Sequence, residues 1–132
     1  MSDGGCLCGD VRYTVTGSPR SGQIYHCVSC HRATGAQSVA WLTFPSRAFS
    51  LISGEPTRYR SSAEVSRTFC GRYGTTLTYR HDGDPDLVDV TAASLDDPDE
   101  FPPTHHMWLE DAISWDRANE GLQRFERCGA PH

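Results

Sequence analysis

Apolar and polar residues alternate where Val11, Tyr13 and Val15 interleave with Arg12, Thr14 and Thr16, a period of two that predicts a strand with one buried face. Gly17-Ser18-Pro19 and Ser21-Gly22 break the pattern as a loop would. A short helical turn is expected after Cys30, and residues 38–44, carrying Val39, Trp41 and Leu42, predict a buried strand that Pro45 ends. Residues 49–52 predict another strand, closed by Gly54-Glu55-Pro56. Residues 57–59 and 65–69 are short β-prone segments around a polar turn. Strands at 75–79 and 87–91 flank the turn His81-Asp82-Gly83-Asp84-Pro85. Residues 94–103, acidic and proline-rich, predict an exposed loop; 105–109 suit a strand, and 111–125 read equally as a short helix or a strand end. No long segment has a period of 3.6, and neither a repeat nor a linker divides the chain. The pattern therefore predicts an all-β fold of short strands and long loops, with residues 1–132 as one domain.

Composition narrows the partners. With 132 residues the chain has room for a modest core, and an apolar fraction of 37% makes a metal cross-link a useful addition to it. Twelve basic and seventeen acidic residues give a net charge of −5, which disfavours a nucleic acid. No apolar run approaches membrane-spanning length and the N-terminus lacks the pattern of a secretion signal, so no membrane partner and a cytoplasmic location are expected.

Six cysteines in such a chain read better as metal ligands or reactive thiols than as disulfides. Gly5-Cys6-Leu7-Cys8-Gly9 places two thiols one residue apart, and in an extended strand both would project from one face toward one centre. Phe69-Cys70-Gly71-Arg72-Tyr73-Gly74 has the shape of a zinc knuckle, Cys-x-x-Cys-Gly, with Tyr73 in the place of the second thiol. Three thiolates from Cys6, Cys8 and Cys70 would supply most of a zinc ligand field, with Tyr73 a poor fourth ligand and water an alternative. Cys27 and Cys30 form a Cys-x-x-Cys flanked by His26 and His31. They read as half of a zinc site, a redox dithiol, or a thiol pair activated by imidazole. A thioredoxin-like role would want the pair opening a helix after a strand in an α/β chain, which this sequence does not resemble. Cys128 reads as a spare thiol. His105 and His106, adjacent in a strand, face opposite ways and cannot share one metal; a structural role is expected for them, with one lining a pocket beside Trp108 as the alternative. Arg32, Arg58, Arg60, Arg67 and Arg72 lie near the thiol segments, where any of them can receive a carboxylate.

Taken in order, Gly5-Cys6-Leu7-Cys8-Gly9-Asp10-Val11-Arg12-Tyr13, His26-Cys27-Val28-Ser29-Cys30-His31-Arg32-Ala33-Thr34-Gly35 and Phe69-Cys70-Gly71-Arg72-Tyr73-Gly74 resemble the glutathione-dependent formaldehyde-activating enzyme family, which includes centromere protein V. The segments Ser94-Leu95-Asp96-Asp97-Pro98, His105-His106-Met107-Trp108 and Gly121-Leu122-Gln123-Arg124-Phe125 extend the likeness over nearly the whole chain. The resemblance implies a small zinc-binding fold of stacked antiparallel sheets, of the β-tent type. It implies a structural zinc carried here to Cys6, Cys8 and Cys70, and a second, catalytic zinc on a Cys-x-Cys-x-x-Cys motif matched by Cys27 and Cys30. The activity it implies joins glutathione to formaldehyde as S-hydroxymethylglutathione, a carbon-sulfur lyase reaction. Tyr73 and Tyr25 each stand where the family has a thiol, which leaves three cysteines at the first centre and two at the second.

The leading expectation is thus a zinc-binding protein resembling carbon-sulfur lyases that act on a glutathione-aldehyde adduct, with a partly degraded catalytic site. Cys27 and Cys30 would hold the metal there, Tyr25 and His26 would handle the proton, and glutathione or another small thiol would be the partner. The rivals are a noncatalytic module pinned by one zinc and a redox-sensitive Cys27/Cys30 dithiol.

Overall fold

The computed structural model describes residues 1–117 and 121–127, and among these residues ten strands form two sheets. The smaller sheet pairs β1 (Ser2–Gly5) with β2 (Arg12–Val15) and β2 with β5 (Phe49–Ser53). The larger one runs in the order β10 (His105–Met107), β3 (Ser21–Tyr25), β4 (Val39–Pro45), β9 (Leu87–Thr91), β8 (Thr76–His81), β7 (Val65–Phe69) and β6 (Thr57–Ser62). Every pairing is antiparallel except β10 with β3. A seven-residue helix, α1 (Val28–Thr34), follows β3, and a single turn, α2 (Ser114–Arg117), lies near the end. The fold is all-β with stacked sheets.

The alternation read from residues 11–16 does what it predicts. Val11, Tyr13 and Val15 turn inward to meet Leu42, Phe44, Leu77, Val88 and Val90 from the larger sheet. Each such side chain fully buried contributes about 1.5–3 kcal/mol. Tyr13 is the one large polar group in this core. Its hydroxyl pairs with Ser94 Oγ at 2.7 Å, and burial, partly offset by that bond, pushes the phenol up to about 12. Gly4 sits against the same ring, so a Cβ there would fall 2.5 Å from the Tyr13 oxygen and 2.6 Å from the Ser94 carbonyl.

Residues 2–5, for which the sequence pattern predicts no element, form a strand without any apolar side chain, because β1 gains its structure from pairing with β2. Three expectations need correction. Ser21 and Gly22 belong to β3 rather than a loop; Gly22 packs where its Cβ would meet Leu42 at 2.9 Å. The helix begins at Val28, before Cys30 and not after it. The 94–103 segment is not wholly exposed: Leu95 is buried, and Phe101 meets Phe44 edge-on at 6.1 Å between ring centres. Cys128 lies outside the described residues.

Candidate functional site

Cys6 and Cys8 do not lie in a strand. They occupy the turn between β1 and β2, where Gly9 N donates to the Cys6 carbonyl at 3.1 Å and Cys6 N donates to Val11 O at 3.1 Å. Two residues of extended chain span about 6.6 Å, whereas the turn brings the two sulfurs to 3.3 Å. Cys70 opens the loop between β7 and β8, as its motif predicted. Gly74 N returns to Cys70 O at 2.7 Å, and Gly74 holds a φ of 99°, a conformation that suits glycine alone. Cys8 Sγ lies 3.5 Å from Cys70 Sγ, and all three sulfurs fall within 4.8 Å of one another. Sixty-odd residues of chain separate thiols that the two turns converge on one point.

Backbone donors are already aimed at this cluster. Val11 N lies 3.2 Å from Cys6 Sγ and Tyr73 N lies 3.4 Å from Cys70 Sγ. Burial opposes ionisation of Cys6, but the Val11 N–H and the Cys8 and Cys70 thiols outweigh it and lower its pKa to about 7. Cys8 moves the other way: the Asp10 N–H favours its thiolate, but the neighbouring Cys6 and Cys70 thiols and desolvation together raise it. One readily ionised thiol flanked by two more is a donor set that fits a soft divalent cation, and the three cysteines could hold a metal ion. Tyr73 gives the cluster its backbone N–H while its side chain is 59% exposed. Arg72 reaches across to Asp10 at 3.3 Å, tying one turn to the other.

Cys27 and Cys30 lie elsewhere, at the start of α1. Cys27 is the extended residue before the helix and Cys30 its third residue, with Sγ atoms 2.9 Å apart and no bond between them. Both line a cleft of about 980 Å³. Cys30 is buried against Trp41 and Val39, with Tyr25 and Tyr79 packed on the same cluster. Burial first, then the Cys27 thiol beside it, push Cys30 up to about 12. Burial likewise raises the phenols of Tyr25 and Tyr79, with Asp89 adding to both and Arg67 opposing it at Tyr79. Asp89 is itself raised by burial, against the Thr43 hydroxyl that donates to it at 2.6 Å. Arg67 lies over the Tyr79 ring, 5.0 Å from its centre.

The remaining candidates are dispersed. His26 does not line the cleft: its Nε2 meets His106 Nδ1 at 2.9 Å and its Nδ1 lies 3.7 Å from Asp116. His105 bonds to Thr104, while Trp108 does line the cleft. Of the five arginines, Arg32 and Arg67 reach the cleft wall, Arg58 bonds to Ser66, Arg60 pairs with Asp82 and Arg72 with Asp10. Asp89 and Tyr79 were not among the sequence candidates. Asp89 alternates with Val88 and Val90 and so reads as an outward polar position, and Tyr79 stands between the polar Thr78 and Arg80; the two pair across β8 and β9 and both line the cleft.

For the second zinc that the resemblance implies, Cys27 and Cys30 supply two donors. Among the described residues no His, Cys, Asp or Glu completes a group of three around Cys27 and Cys30, and Tyr25 offers a phenol held more firmly protonated than usual.

No curated protein sequence matches the chain significantly. A crystal structure of a Rhodobacter sphaeroides protein, a structural genomics target, superposes with a TM-score of 0.64 at 20% identity, covering 80% of this chain and 99% of that one. That likeness shows a shared fold. The family model for the glutathione-dependent formaldehyde-activating enzyme matches residues 1–111, a span that holds both thiol clusters and every strand described above, and the chain belongs to that family.

Proposed function

We propose that this is a one-zinc member of its family, which binds a small thiol such as glutathione, or that thiol's adduct with an aldehyde, in the cleft above Cys27 and Cys30. The observation that carries the reading is the asymmetry of the two sites: three sulfurs converge at Cys6, Cys8 and Cys70, whereas Cys27 and Cys30 form a pair inside an open cleft. A zinc at the first site would cross-link the β1–β2 and β7–β8 turns.

Carbon-sulfur chemistry on an aldehyde needs a base to take the thiol proton and an acid to give one to the carbonyl oxygen. Asp89, its carboxyl raised by burial, suits the first role. Tyr25 and Tyr79, both held protonated, suit the second. Arg67 and Arg32 place positive charge at the wall, where carboxylates of a glutathione-like ligand would settle. A binding module without turnover is favoured by the two-sulfur count at the cleft. Five free thiols among the described residues suit a reducing compartment, and the cytoplasm is the location proposed.

Metal analysis should give one zinc per chain, and exchange NMR of glutathione with formaldehyde should show adduct formation accelerated by the protein and slowed by Asp89→Asn. Two zinc per chain would refute the one-metal reading. Binding of the thiol without acceleration would leave the module, and the absence of binding would refute both.

A further inference from the structure

The pair at the cleft has an architecture that neither a metal site nor a lyase requires. Strand β3 ends at Tyr25, Cys27 follows in extended conformation, and α1 then winds so that Cys30 returns beneath Cys27 with the sulfurs 2.9 Å apart. A strand running into a Cys-x-x-Cys at the start of a helix is the local geometry in which dithiols cycle between reduced and bridged forms. A disulfide needs about 2.05 Å between sulfurs, and the pair already stands at 2.9 Å. The two thiols are also unequal. Cys27 is partly exposed at the cleft, and Cys30 is 5% exposed behind it. Both touch the cleft, but Cys27 is the more open of the two to a reagent.

We propose that Cys27 and Cys30 form a redox-active dithiol that exchanges with a low-molecular-weight disulfide admitted by the cleft. The Cys27 thiolate attacks one sulfur of the incoming disulfide, its S–S bond breaks, and one small thiolate leaves. Cys30 then attacks the Cys27 sulfur of the mixed disulfide, its proton passing to the second small thiolate as that leaves. The dithiol loses two electrons to become a disulfide, and the small disulfide gains them to become two thiols. Burial, and then the Cys27 thiol, keep Cys30 protonated in the resting pair, with Arg67 only a minor opposing influence, so its proton leaves as the second attack proceeds. The cleft, large enough for a tripeptide-sized reagent, supplies access.

The test uses the zinc-loaded protein and glutathione disulfide. Peptide mapping after incubation should recover Cys27 linked to Cys30, with two equivalents of reduced glutathione released and zinc retained at the first cluster; excess reduced glutathione should reverse the link. Cys30→Ser should halt with one glutathione on Cys27, and Cys27→Ser should take up none at Cys30. Thiols 27 and 30 left free in the wild type, or a stable glutathione adduct on Cys27 with Cys30 unreacted, would overturn the proposal. A bridge formed among Cys6, Cys8 and Cys70 with loss of zinc would overturn it too. The proposal shares the cleft with the thiol-binding reading but not its readout, since adduct formation is followed with reduced glutathione and an aldehyde, and dithiol exchange with glutathione disulfide and no aldehyde.

Discussion

Tyr25→Cys restores a third thiol beside Cys27 and Cys30, and its consequences separate a site that has lost one ligand from one that was never built. Tyr25 is partly buried and packs on the cluster of Cys30, Val39 and Trp41. Deleting a fully buried aromatic side chain costs about 3–5 kcal/mol, and for a ring only partly buried and replaced by a sulfur the loss should be about 1–2 kcal/mol. For a chain of this size that lowers the melting temperature by roughly 3–8 °C in the presence of a chelator. A second zinc held at a hundred times its dissociation constant returns about 2.7 kcal/mol. The variant should therefore melt below the wild type with chelator and at or above it with zinc, and elemental analysis should rise from one zinc to two. If the content stays at one while circular dichroism shows the fold intact, Tyr25 does not stand at the missing ligand position and the assignment of the second site fails.

Cys70→Ser should release the metal and lower thermal stability by about 2.7 kcal/mol at a zinc concentration a hundredfold above the wild-type dissociation constant, and it should weaken thiol binding at the cleft; Cys30→Ser should leave zinc content unchanged. Calorimetry with and without chelator, alongside glutathione titration, reads all three effects. Tyr73→Cys should slow zinc loss to a competing chelator while changing stability without metal by less than about 0.5 kcal/mol, as befits an exposed position. The pH dependence of Asp89 has a defined sign: its folded pKa is raised, so its favourable contribution is full below the ordinary carboxyl range and is lost as pH rises through the raised value. Asp89→Asn should accordingly melt above the wild type at neutral pH and lose that advantage in acid, and an advantage that persists in acid would refute the burial argument.

Much of this was legible in the chain because the signals were local. The alternation at Val11, Tyr13 and Val15 marks β2, the glycine-rich loop after Cys70 marks a turn, and the three cysteine segments in order carry the family likeness. What escaped depended on partners distant in sequence. β1 has no apolar residue and exists because β2 and the Leu95 segment pair with it. β10 docks in parallel on β3, so the placement of His106 against His26 follows from a contact between residues eighty positions apart. The strand reading of Cys6 and Cys8 reached the right convergence through the wrong geometry, since only a turn brings the sulfurs within 3.3 Å. Asp89 was invisible as a cleft residue because nothing in its strand distinguishes a polar side chain facing solvent from one facing a cavity.

The two tyrosines that the family resemblance sets in the place of thiols differ in what they do. Tyr73 leaves its side chain largely in solvent and keeps the backbone N–H that its turn directs at Cys70, so the three-sulfur cluster is undisturbed by it. Tyr25 packs its ring into the cluster around Cys30 and brings apolar packing and a firmly protonated phenol to the thiol pair. Three sulfurs at the first cluster could hold a metal, while the pair at the second lines a cleft. They are nonetheless joined mechanically, because the loop that carries Cys70 is the turn of the β7–β8 hairpin, and the body of that hairpin is the cleft wall. Arg67 and Tyr79 face each other across it in register, and Gly74 and Thr76 carry the wall up to the turn itself. Fixing Cys70 to Cys6 and Cys8 fixes the end of the hairpin against the smaller sheet, and with it the spacing between Arg67 and the thiol pair. Metal loss at the first centre should therefore be felt as weakened binding at the second, through a single β-hairpin and without any ligand shared between them.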